Sequence, residues 1–387
     1  MRLSTRAARR PIQAARRSLP AALLAGCTVA LLLQPASTAS ASPLAPAAER
    51  RDVPAGGSTV SLPLADSGHR LAPRVTRPFE LLGVGWDGPA AAMAGATVRV
   101  RTRDAATGHW GDWHTLEADT EDGPDHAPRG ATAPLWTGRS DGVAVEVVPG
   151  PAGPPPGLRL DLVDPGPGSG AATATRTLPA APADGDRAPR PAIVTRAGWG
   201  ADESLRDPGP EYTGPVREVF VHHTATATDY ACSDAPRVIR SIHQYHVKTS
   251  GWRDIGYNFL VDRCGTVYEG RAGGVDRPVH GAHTLGFNTD SAGVAAIGTY
   301  VGDTPPQPLL DGLAALAAWK LGLTGQAADG HTELTSTSDT SRYPEGTVVD
   351  FDSISGHRDA FTTECPGAAL YARLPELRAA AARLQAQ

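Results

Sequence analysis

Between residues 79 and 163 apolar and polar positions alternate in short segments broken by Gly, Pro and Asp. Phe79-Glu80-Leu81-Leu82-Gly83-Val84-Gly85-Trp86, Thr97-Val98-Arg99-Val100-Arg101-Thr102, Trp113-His114-Thr115-Leu116, Val143-Ala144-Val145-Glu146-Val147-Val148 and Leu158-Arg159-Leu160-Asp161-Leu162 read as strands of period two. No helical stripe interrupts them, so the pattern predicts an antiparallel, all-β sandwich-like domain. On this reading Trp86, Trp113 and Trp136 fill its core. The turn Gly108-His109-Trp110-Gly111-Asp112-Trp113 offers the alternative of an indole platform for a wall polymer. His109, His114 and His126 have no partners at ligand spacing and are expected on the surface.

A run of Pro, Gly, Ala, Ser and Thr over residues 164–192 reads as an extended linker. Beyond it strands and helices mix. Val219-Phe220-Val221-His222-His223-Thr224 is an apolar run ending in two imidazoles, the pattern of a buried strand that delivers a side chain to a site. A helix is predicted over 234–246, with Val238, Ile242 and Tyr245 on one face and Ser233 or Asp234 as its cap. A strand over 256–261, the turn Cys264-Gly265-Thr266 and a strand over 267–271 make a hairpin. A nearly apolar strand follows at 292–298, then a helix over 309–323 and a closing helical segment over 368–385 that Pro375 interrupts. These elements predict an α/β domain over 193–387, a central mixed sheet flanked by helices. Residues 330–350, rich in Thr and Ser, read as an insertion.

The chain of 387 residues is long enough for two domains, and its net charge of −5 gives no reason to expect nucleic acid. Residues 1–41 have an arginine-rich start, an apolar run and the terminal Ala39-Ser40-Ala41, as a secretory signal peptide does. No membrane span is expected once it is removed. Arg16-Arg17-Ser18-Leu19 leaves twin-arginine export open, and Leu24-Ala25-Gly26-Cys27 leaves lipoprotein processing open. Residues 42–78 are expected to form a flexible leader. Without Cys27, the cysteines are Cys232, Cys264 and Cys365. An oxidising compartment favours a Cys232–Cys264 bridge and leaves Cys365 as a thiol to explain.

His222, His357 and Cys365 offer two imidazoles and a thiolate, a set that suits Zn²⁺ and leaves a fourth position for water. The spacing matches no short motif, so a structurally packed strand end and a merely buried thiol remain alternatives. The segments 193–201, 219–224, 251–259, 265–271 and 293–298, with His280-Gly281-Ala282-His283, Gly286-Phe287-Asn288, Gly356-His357-Arg358-Asp359 and Thr363-Glu364-Cys365-Pro366-Gly367, resemble the peptidoglycan recognition protein family. That family shares its fold with zinc N-acetylmuramoyl-L-alanine amidases of the bacteriophage T7 lysozyme type, and the resemblance covers about 193–374 in order.

The resemblance implies that His222, His357 and Cys365 bind zinc and that Tyr257 is catalytic. Thr363 falls where phage-type enzymes have lysine and catalytic recognition proteins have threonine. His283 and Asn288 are then expected to line the substrate groove, with His246, Trp252 and Arg271 as further substrate-binding candidates. Strand alternation turns His223 away from His222 into a supporting role. The implied activity is metal-assisted hydrolysis of the bond between N-acetylmuramic acid and L-alanine, by a secreted, wall-associated monomer acting on muramyl peptides. A noncatalytic peptidoglycan receptor and a wall-anchored adhesin acting through the β domain are the alternatives.

Overall fold

The bulged pairing of two long strands organises the amino-terminal half. The computed structural model describes residues 57–64, 69–117, 123–124, 127–168, 176–182 and 188–387; the expected signal peptide, Cys27 and His126 lie outside them. The strands are β1 (Ser58–Pro63), β2 (Arg70–Asp87), β3 (Thr97–Asp104), β4 (His114–Leu116), β5 (Arg129–Ala131), β6 (Leu135–Val148) and β7 (Arg159–Asp164). All pair antiparallel along the path β1-β7-β2-β6-β3-β4, with β5 beside β2. Between Leu71 and Leu81 the β2–β6 register shifts repeatedly, and such bulges bend a sheet.

Alternation sorts these side chains into two destinations. Leu82, Val84, Trp86, Val98, Val100, Val143, Val145, Leu160 and Leu162 fill the domain's own core. Leu81, Trp136 and Val163 join a different cluster, which belongs mainly to the second domain. Trp86 is buried in the domain's own core as expected, whereas Trp136, expected there too, is buried in the other cluster. Trp113 is not a core residue: it is half-buried, with the guanidinium carbons of Arg99 and Arg101 5.2 and 5.1 Å from its ring centroid. Arg99 and Arg101 alternate with the buried Val98 and Val100, which puts this stack on the other side of β3.

The expected leader is also revised. β1 pairs with β7 along its whole length and Leu64 is fully buried, so the ordered domain begins before residue 79. The alternation of Val60, Leu62 and Leu64 carries this strand inside an otherwise small and polar stretch. The linker likewise contributes structure. β8 (Thr177–Leu178) pairs with β9 (Ile193–Val194) at the edge of the second sheet.

In the second domain follow α1 (Arg196–Trp199), β10 (Glu218–His223), α2 (Ala235–Lys248), β11 (Phe259–Val261), β12 (Val267–Glu269), β13 (Ser291–Ala296) and α3 (Gln307–Gly322). The chain ends with β14 (His331–Thr335), β15 (Val348–Asp352), β16 (Ile354–Gly356), α4 (His357–Ala360), α5 (Ala368–Tyr371) and α6 (Leu374–Gln385). The main sheet has the order β16-β10-β13-β11-β12-β9-β8 and mixes parallel with antiparallel pairs, as the expected α/β class requires. β10 lies between the parallel neighbours β13 and β16 and is buried throughout, which explains its unbroken apolar run. α3 and α6 pack in one cluster with Val219 and Val221, while α2 packs in the cluster of Leu260 and Ala295. Pro375 sits in the first turn of α6, where its missing N–H leaves no intrahelical bond unmade. The Thr/Ser-rich insertion is a two-stranded antiparallel ribbon, β14 with β15.

The two domains meet on α2. Tyr245 Oη donates to the Thr132 carbonyl at 3.0 Å, Gln244 Nε2 to Thr59 Oγ1 at 2.8 Å, and Arg159 Nη2 to the Thr249 carbonyl at 3.0 Å. Arg237 pairs with the buried Glu80 of β2. Gly83 of β2 lies so close to α2 that a Cβ there would stand 2.1 Å from Tyr245 Oη.

Gly83→Ala should therefore cost about 1–3 kcal/mol of stability, read from the denaturant midpoint. Glu218 gives a pH test. It is fully buried at the start of β10, and this burial outweighs the nearby Ser355 and Arg378, holding its carboxyl well above the ordinary carboxylate range. The folded state keeps a proton that the unfolded state releases, so this residue's contribution to stability falls as pH rises from the ordinary carboxylate pKa toward the raised one. Glu218→Gln should flatten the fall in unfolding free energy over that window, and an unchanged pH profile would count against a protonated carboxyl.

Candidate metal centre and its cavity

Parallel pairing brings the two histidines together. Val221 is in register with Gly356, so the residues that follow, His222 and His357, emerge at the same edge of the sheet. Their ring centroids are 4.6 Å apart. Cys365 arrives from the loop after α4, and its Sγ accepts a hydrogen bond from the His223 backbone N–H at 3.3 Å. All three side chains are buried, and one ligand atom from each lies within 4.8 Å of the others.

The donor set fits zinc. Cys365 Sγ is 3.7 Å from His222 Nδ1. A sulfur at about 2.3 Å and a nitrogen at about 2.0 Å from one tetrahedral ion stand about 3.5 Å apart. With Nδ1 facing Cys365, a neutral His222 carries its proton on Nε2. That atom lies 3.2 Å from His283 Nδ1 and 3.3 Å from Thr284 Oγ1, either of which can accept it. His223 shares the parity of Val219 and Val221, which belong to the α3–α6 core, whereas Phe220 packs with the Phe287 and Phe351 cluster; His223 itself reaches the cavity beside Cys365.

Beside these residues is a cavity of about 490 Å³, lined by His357, Cys365, Thr363, Tyr257, His246 and Trp252 among others. His246 and Trp252 stack with centroids 4.2 Å apart, and Tyr257 lies 5.7 Å from His246, forming one aromatic wall. Tyr257 Oη is 3.5 Å from the His223 carbonyl, and Thr363 Oγ1 accepts from the Cys365 N–H at 3.2 Å. Thr340, from the inserted ribbon, also reaches the cavity.

Three expected groove residues lie elsewhere. His283 and Asn288 are fully buried outside the lining, with polar atoms engaged by His222, by the loop's own backbone and by the Gly123 carbonyl. Asn288 Oδ1 accepts from the backbone N–H groups of His283 and Thr284 at 2.7 and 3.0 Å, which fixes His283 against His222. The Arg271 guanidinium donates to the Ile255 carbonyl at 3.0 Å and is likewise absent from the lining; burial lowers its pKa. Cys232 and Cys264 form the expected disulfide. Thr284 went unremarked in the sequence; its position next to His283 in a histidine-bearing loop was the available signal.

Residues 212–368 match the N-acetylmuramoyl-L-alanine amidase family, and residues 35–183 match a family described as Rv3811 N-terminal galactose-binding domain-like. A peptidoglycan recognition protein of Trichoplusia ni is 36% identical over 46% of this chain and 83% of its own length. A human N-acetylmuramoyl-L-alanine amidase is 34% identical over 47% of this chain, which spans only 27% of that protein. Among solved structures, peptidoglycan recognition protein-LE in complex with tracheal cytotoxin is 30% identical, with a TM-score of 0.37 over 48% of this chain and 92% of that one.

His283→Ala should weaken Zn²⁺ binding about 10–100-fold, measured by competition with a chromogenic chelator, because His222 loses the partner that orients it. Undiminished affinity would leave His283 a packing residue.

Proposed function

We propose that this chain, which belongs to the peptidoglycan recognition protein family, is a zinc-dependent N-acetylmuramoyl-L-alanine amidase. Membership makes its role a peptidoglycan-related one, amidase or recognition. The observation that carries the catalytic reading is the convergence of His222, His357 and Cys365 beside a cavity that also contains Tyr257 and Thr363.

In this reading His222, His357 and Cys365 hold Zn²⁺, and Cys365 receives the His223 N–H as support. The bound ion supplies Lewis acidity, which activates water and polarises a carbonyl. His283 and Thr284 keep His222 in one tautomer and orientation. The Tyr257 hydroxyl donates to the oxyanion that develops on the lactyl carbonyl, and Thr363 adds a second hydroxyl at the same wall. His246 and Trp252 present an aromatic surface to the apolar parts of the muramyl peptide. Cleavage leaves free N-acetylmuramic acid carboxylate and a stem peptide with a new amino-terminal alanine.

The product is exported and works at the wall. The Cys232–Cys264 disulfide supports that placement, since such bonds persist in oxidising compartments. Among the described residues no helix is long and apolar enough to cross a membrane. The unit is divided as a β domain and an amidase domain, the second from about residue 193, acting as a monomer.

Purified protein incubated with peptidoglycan should release new amino-terminal alanine with metal present and none after chelation. Tyr257→Phe should lower kcat by about 10²–10³-fold with zinc content unchanged. Cys365→Ser should still bind muramyl peptide but not cut it. Intact lactyl amides at full zinc occupancy would instead select the noncatalytic recognition role.

A further inference from the structure

A second groove opens next to the cavity beside the candidate metal centre. Its volume is about 940 Å³, near the upper end of the roughly 300–1,000 Å³ found for ligand pockets. One wall comes from the β domain, through Thr102 and residues 114–117 and 135–139; the other comes from the amidase domain, through the loop 225–231 with Thr299 and Asp303. Glu117, Ala133 and Ala225 line both the groove and the first cavity, so the two are continuous. Ala225 follows His222 by three residues and has a φ of +53°, a left-handed conformation that costs any residue with a side chain and is concentrated at ligand sites.

The two parts differ in chemistry. Proline, alanine and aromatic side chains are the commonest groups beside the metal centre, whereas six threonines and four carboxylates line the second groove among the described residues. On its β-domain wall the side chains of His114, Thr115 and Arg139 have no partner among the described residues. On the amidase wall Asp303 accepts from the Thr228 hydroxyl and Asp229 accepts from Arg263, each through one oxygen, which leaves the second oxygen of each free among those residues. Unused donors on one wall and carboxylate oxygens on the other suit a neutral ligand whose hydroxyls both donate and accept. A polyanion would meet four carboxylates, and a cationic ligand would offer Arg139 no acceptor.

We propose that this second groove binds the glycan strand of peptidoglycan, taking the sugars that follow the reacting muramic acid, so that the β domain is one half of the substrate site and not solely a spacer or wall anchor. The inference rests on the proposed muramyl-peptide substrate but not on catalysis. Muramic acid joins the strand through its ring and the peptide through its lactyl group, so a site that holds the lactyl carbonyl at the metal has to lead the strand away from it. The groove supplies that path. Arg139 and Thr115 donate to sugar hydroxyls and N-acetyl carbonyls, while Asp229 and Asp303 accept from hydroxyls.

The test uses the full-length chain, treated with chelator so that nothing is cut, in calorimetric titrations with a muramyl tripeptide and with the same tripeptide carried on a tetrasaccharide of wall glycan. The longer ligand should bind about tenfold tighter, the equivalent of one charge-assisted hydrogen bond. Arg139→Ala, at an exposed position, should remove most of that advantage, and its binding of the muramyl tripeptide reports that it is folded. Equal affinity of the unaltered chain for the two ligands overturns the proposal, as does a folded variant that keeps the full advantage. Hydrogen exchange on the unaltered chain covers the case of a misfolded variant. The longer ligand, and not the muramyl tripeptide, should slow exchange in residues 135–139 and 225–231, and unchanged exchange there overturns the proposal equally. Metal-loaded turnover separates the two readings. Tighter binding of the longer ligand without hydrolysis of either rejects the amidase and keeps the groove, whereas equal affinity with chelator-sensitive hydrolysis of both keeps the amidase and rejects the groove.

Discussion

The helix Ala235–Lys248 has to be buried on two sides at once, and the arrangement of both domains follows from that. A surface helix carries one apolar stripe and one polar face. Here Val238, Ile239, Ile242, His243, Gln244, Tyr245 and His246 are all buried. Leu260 and Ala295 of the amidase sheet and Leu81, Trp136 and Val163 of the β domain belong to the same cluster. The β domain therefore shares a core with the amidase. Its rim is also tied in by the Glu80–Arg237 ion pair and the Tyr245–Thr132 hydrogen bond.

That shared core sets the position of the aromatic wall beside the candidate metal centre. The end of the same helix carries His246, which stacks on Trp252 and accepts a hydrogen bond from the Gly256 N–H at 3.1 Å through Nδ1. Gly256 precedes Tyr257, so the aromatic wall is anchored to a helix that the β domain also holds. On the other side, β10 between β13 and β16 presents His222 next to His357 without any loop freedom. Ligands carried on rigid, buried strands hold their geometry better than ligands on loops. Cys365, which does come from a loop, is instead held by the His223 N–H and by the Thr363 hydroxyl that accepts from its own N–H.

The polar groups behind the candidate ligands are as deeply buried as those residues. His283, Thr284 and Asn288 form a loop whose hydrogen bonds are directed at His222, at the loop's own backbone and, through Asn288 Nδ2, at the Gly123 carbonyl of the β domain. A residue can thus belong to the site without facing the cavity. The resemblance implies that His283 and Asn288 line a groove, whereas in the structure His283 Nδ1 lies beside His222 Nε2 and Asn288 Oδ1 accepts from the His283 and Thr284 N–H groups.

Much of the architecture was legible along the chain because its physical basis is local. Alternation marked the strands of the β domain, the apolar run of β10 marked a strand buried on both faces, and Pro375 marked the break before the last helix. Residue chemistry with resemblance singled out His222, His357 and Cys365, and the odd cysteine count anticipated the disulfide. The first strand was hidden because a short edge strand needs only a few apolar residues when its neighbour supplies the pairing. Trp113 was misjudged because period two says that a face exists but not which face is the core. The contact of Gly123 with Trp252 and Asn288 was beyond sequence reading altogether. By itself the sequence determined the elements, the family and the metal-ready residues, since these depend on near neighbours and side-chain chemistry. Only the tertiary structure decided which face of each element meets which domain, because that choice depends on surfaces brought together from more than a hundred residues apart.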